Sequence, residues 1–150
     1  MALDWENLFK RYVYDETRTP YFVATARMDQ TQARNEIFFF SFLQTVLFGV
    51  LALASLSTVL PHGGSPAVTV ICLMLCGASV LLGVTKHPSA ALAAACAPFA
   101  AVAYGAVYGF HPALGSGDKY LIFGLAVLWA LYVVRVVKIA MVIEASSTSP

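Results

Sequence analysis

The chain has 150 residues, 59% of them hydrophobic and 11% charged, with a mean hydropathy of +0.75 and a formal net charge of +1. A soluble domain carries about 25% charged residues, so the composition argues against an ordinary soluble globule. The balanced charge offers no basic footprint for nucleic acid. Eleven of the seventeen charged residues fall within residues 1–36, which reads as a polar N-terminal segment ahead of one membrane domain.

In that segment Trp5, Leu8, Phe9 and Tyr12 recur at helical spacing, while Glu6, Asn7, Lys10 and Arg11 take the opposite face. The pattern predicts a short amphipathic helix capped by Asp4. Such a helix lies in the membrane interface or docks on a neighbouring subunit, with Trp5, Phe9 and Tyr12 as its contacts. Pro20 disfavours helix at Thr19. No short apolar region with a small-residue cleavage site precedes the first span, so the segment is expected to be retained. A new helix is expected near Gln30, with Asp29 as its cap and Gln32 at the spacing of a capping box.

About 20 apolar residues are needed to cross about 30 Å of hydrocarbon. Residues 37–60, 66–84, 90–110 and 120–143 qualify, separated by turns rich in Gly and Pro. The expected fold is therefore all-α, an integral membrane protein with four transmembrane helices and a short polar tail. An even number of spans puts both termini on one side. That side would hold Lys10, Arg11, Arg18, Arg27, Arg34, Lys86, Arg135 and Lys138, against Lys119 alone on the other. The positive-inside rule then makes both termini cytoplasmic, and compactness suggests a bacterial inner membrane. Arg135 and Lys138 interrupt the fourth span near its inner end. Their long side chains are expected to snorkel to the cytoplasmic headgroups, where they also form a candidate site for anionic lipid or an acidic partner.

The third span carries Ala93, Ala97, Ala101, Gly105 and Gly109 at every fourth position, a small-residue stripe expected to pack closely against another helix. Pro98 should bend the same span. Cys72, Cys76 and Cys96 all lie in apolar stretches and read as small packing residues rather than disulfide partners. Gln44 and Trp129 are the polar oddities inside the spans. Both are expected to serve helix–helix contacts, with a quinone or pigment contact as the alternative. His62 and His111 share one predicted side and are weak candidates for a metal.

The run Ala33, Arg34, Asn35, Glu36 resembles the Arg, Asn and Glu of membrane-bound glutathione transferases, which are also four-helix chains of similar length. Here the residues are contiguous and precede the first span, whereas that family spaces its motif by the second. The resemblance would imply a glutathione-dependent enzyme. The residues otherwise supply no convergent acid, base or nucleophile, so an enzyme is not expected. The reading they favour is an accessory subunit that stabilises a larger membrane complex, respiratory or photosynthetic in kind, among lipid and other membrane-protein subunits. The alternative is a small homo-oligomeric channel or transporter.

Overall fold

A chain surrounded by hydrocarbon can satisfy its backbone only by closing hydrogen bonds within itself. A computed structural model of the protein describes residues 23–58 and 64–148, and these form helices and no strand. The amphipathic helix expected around Trp5, Phe9 and Tyr12, and the loop residue His62, lie outside the described residues.

Among the described residues, four helical segments are long and apolar enough to cross a membrane. A single 3-10 turn at Thr25–Arg27 leads into α1, Gln30–Ala54. Asp29 accepts the Gln32 N–H at 2.7 Å, and the Gln32 side chain accepts the Asp29 N–H at 3.3 Å. This reciprocal box fixes where α1 begins. The helix stops at Ala54, earlier than the apolar run suggests. There the Ser55 hydroxyl bonds Ala52 O at 2.7 Å and pairs with the Thr69 hydroxyl at 2.6 Å, turning the chain toward the next helix.

Helix α2, Pro66–Thr85, opens on a proline, which lacks only an N–H that would be unsatisfied there anyway. It ends at Lys86, which takes left-handed geometry with φ of 56°. The third span is two helices: α3, Pro88–Ala94, and α4, Ala97–Tyr108. The last, α5, runs over Ser116–Thr148. It extends beyond the expected 120–143 at both ends, helped at its start by a Gly115 N–H bond to Asp118 Oδ2 at 2.9 Å.

Because the helices are apolar all round, composition does not choose their inward faces. Shape and polar pairing do. On α1 the buried stripe passes through Ala33, Ile37, Phe40, Gln44, Phe48 and Ala52, leaving Phe38 and Phe42 exposed and stacked on each other at 6.5 Å. On α2 the buried face alternates small and large groups, Cys72, Leu75, Ser79 and Leu82. A Cβ placed on Gly83 would stand 3.1 Å from the Ser41 Cβ, so α1 and α2 approach closely there. Two apolar clusters result. One gathers Ile37, Phe40, Leu82, Ala94 and Val136, and the other gathers Phe48, Ala52, Cys72, Leu75 and Ala97.

Candidate functional site

The polar groups that the bundle buries are concentrated on α1. Glu36 is 3% exposed, a position no carboxylate holds without a partner. The partner is Arg135 on α5. Its Nε donates to Glu36 Oε1 at 2.7 Å and its Nη2 to Oε2 at 3.0 Å, a two-pronged pairing. Nη2 also donates to the Val23 carbonyl at 2.8 Å, which ties the segment before α1 into the same clasp.

At 1.5 Å per residue, Glu36 lies about 27 Å from Ala54 along α1, and Arg135 about 28 Å from Ser116 along α5. Two helices thus independently set the pair at one depth, near the basal end that holds Asp29, Lys86 and Glu144. Arg135 therefore differs from its sequence expectation. It turns inward to Glu36, because a carboxylate buried at that position carries a large desolvation cost unless a cation pairs with it. Lys138, three residues on, is exposed.

Around this clasp lie weaker ties. Gln30 Nε2 donates to Ser146 Oγ at 3.1 Å. The His87 Nδ1 accepts the Ser89 N–H at 3.2 Å, capping α3, while its Nε2 faces Glu144 Oε1 at 3.1 Å. Both side chains of that last pair are about half exposed, and such pairs contribute about 1 kcal/mol or less.

Deeper in the bundle, Gln44 Nε2 donates to Ala94 O at 2.8 Å. The reason lies in α4. A helix at this point would close the Ala94 carbonyl with the N–H of residue 98, and Pro98 has none. The chain breaks into α3 and α4, and Gln44 from α1 supplies the missing donor. Gln44 thus makes the helix–helix bond expected of it. Trp129 contributes through its ring, stacked on Phe48 at 6.1 Å and packed against both apolar clusters.

The small-residue stripe does not form one face of one helix. Ala97 is fully buried, Ala101 and Ala93 are exposed, and Gly105 lies under the Phe110 ring. Gly109, with φ of 77°, falls outside α4 and ends it. The break before Pro98 divides the stripe between α3 and α4. Within the chain, a close helix approach sits on α2, at Gly83.

His111 is exposed, and its Nδ1 accepts the Ala113 N–H at 3.2 Å in a local turn. Among the described residues no group of three or more His, Cys, Asp or Glu is placed to hold a metal ion. The run that resembles the glutathione-transferase motif does not converge. Successive helical residues point about 100° apart, so Arg34 and Asn35 are exposed while Glu36 is buried and engaged by Arg135. No family model matches the chain, nor does any curated protein or solved structure.

Proposed function

We propose that the protein is a non-enzymatic membrane subunit, clasped within itself at the basal end and completed by partner helices toward the other. The observation that carries this reading is the exposure of α5. Every residue from Ser116 to Leu128 except Ala126 is exposed, with Tyr120 at 79% and Leu121 at 65%. On α4 only Ala97 and Pro98 are buried. Lipid can cover such surfaces, but a helical stretch without a packed face, such as the first half of α5, is suited to receive another chain's helices. The exposed Ala101, and the segment bearing Trp5, Phe9 and Tyr12, extend the contacts on offer.

Glu36 and the Gln44 amide nitrogen, both buried, are engaged in holding helices together, which favours a structural role over catalysis. In this reading both termini are cytoplasmic, the membrane is a bacterial inner membrane, and the partners are lipid and subunits of a respiratory or photosynthetic complex. Native purification with mass spectrometry of co-eluting chains tests it. A defined hetero-complex is expected, and Trp5→Ala with Phe9→Ala should release the protein from it without preventing membrane insertion. Interface anchors of this kind are each worth about 2 kcal/mol or more, so their joint loss weakens association about a thousandfold. A pure homo-oligomer would instead support a small channel or transporter. That second reading draws on the broken third span and the buried Gln44, since transporters build sites from interrupted helices.

A further inference from the structure

Between the two apolar clusters lies a polar layer that protein atoms alone leave incomplete. Ser41 and Gln44 are each 3% exposed. The Ser41 Oγ and the Gln44 Oε1 make no hydrogen bond to any described residue. Flipping the Gln44 amide does not help, because Nε2 is held by Ala94 O, and the flip would set two acceptors against each other. The two side chains are three residues apart on one helix, so their Cβ atoms are about 5–6 Å apart on a shared face. That spacing suits a bridging molecule that makes two hydrogen bonds. Facing Ser41 is Gly83, where an added Cβ would come 3.6 Å from the Ser41 Oγ. Any larger residue at that position would crowd Ser41, its Cβ standing 3.1 Å from the Ser41 Cβ.

We propose that a single internal water is bound between Ser41 Oγ and Gln44 Oε1, at the level where the third span breaks. It donates one hydrogen to the Gln44 carbonyl oxygen and shares a hydrogen bond with the Ser41 hydroxyl. Buried waters characteristically serve polar groups that the protein cannot pair itself. Here the water completes a chain that runs from Ser41 through the Gln44 amide to the Ala94 carbonyl freed by Pro98. The break is therefore sealed by solvent as well as by side chain.

The test uses the full-length wild-type protein and Ser41→Ala, each purified in mild detergent. A structure that resolves ordered solvent should show a peak within hydrogen-bond distance of both atoms in the wild type. Ser41→Ala should melt about 2–4 °C lower, because it strips the water of one partner. A wild-type map with no such peak overturns the proposal, even with a lower melting temperature, since Ser41 would then be bonding its own helix. A variant that melts at or above wild type also overturns it, because deleting a hydroxyl that truly lacks a partner should cost nothing.

Discussion

Replacing Arg135 with Met removes its hydrogen bonds to both Glu36 oxygens and to Val23 O and leaves the Glu36 carboxylate buried without its cation. Breaking a buried ion pair from one side costs about 3–5 kcal/mol. The Arg135 side chain is 28% exposed and that of Glu36 is 3%, so part of the attraction is screened and the lower end, about 3 kcal/mol, applies. For a chain of this size each kcal/mol moves the melting temperature by about 2–4 °C, giving a fall of about 6–12 °C. Glu36→Gln keeps the shape and an acceptor while Arg135 retains access to water, so it should lose about 1–2 kcal/mol. The paired change Glu36→Leu with Arg135→Met buries no charge and should return to within about 1 kcal/mol of wild type. Thermal melts of the purified proteins in one detergent give the comparison. The reasoning fails if Arg135→Met melts with wild type, or if the paired change loses as much as the two single apolar changes added together.

Gln44→Leu should destabilise by about 1–3 kcal/mol by stranding the Ala94 carbonyl. In a Pro98→Ala background, which restores a backbone donor, the same change should cost much less, and equal costs in the two melts would refute the donor argument. Lys86 occupies a left-handed conformation and its ammonium reaches Gly83 O at 3.3 Å. Lys86→Gly and Lys86→Ala lose that contact equally, but only Gly removes a backbone cost of about 1–2 kcal/mol, so the Gly variant should melt higher. Reporter fusions after Glu144 and within residues 61–65 should give opposite signals, and like signals would end the four-span reading.

The sequence makes the helices legible because length, apolarity and turn residues act locally. Asp29 and Gln32 announce the start of α1 by spacing alone. What stayed hidden were the faces. In a helix apolar on every side, nothing in the pattern marks which stripe turns inward, so a tidy small-residue repeat on the third span outweighed the less regular Cys72, Ser79 and Gly83 on the second. Glu36 was hidden for another reason. As the last charge before an apolar run it reads as a solvated residue, and its partner is 99 positions away. Arg135 carried half of that signal, for a cation deep in a span needs either water or a carboxylate. Pro98 and Gln44 were each conspicuous, yet only the fold shows that one supplies what the other lacks.

The clasp also bears on bilayer thickness. Between Lys119 and Arg135 the last helix has 15 uncharged residues, about 22 Å of rise, against a hydrocarbon layer of about 30 Å. Left as a bare cation, Arg135 would favour a thinned membrane or draw headgroups inward. With Glu36 bound, the stretch that tolerates hydrocarbon extends to Lys138, about 27 Å. Hydrophobic mismatch costs fractions of a kcal/mol per Å. On the four-span reading, a carboxylate on the first span would set the membrane thickness that the last span prefers, and a Glu36 variant that still folds should partition toward thinner bilayers.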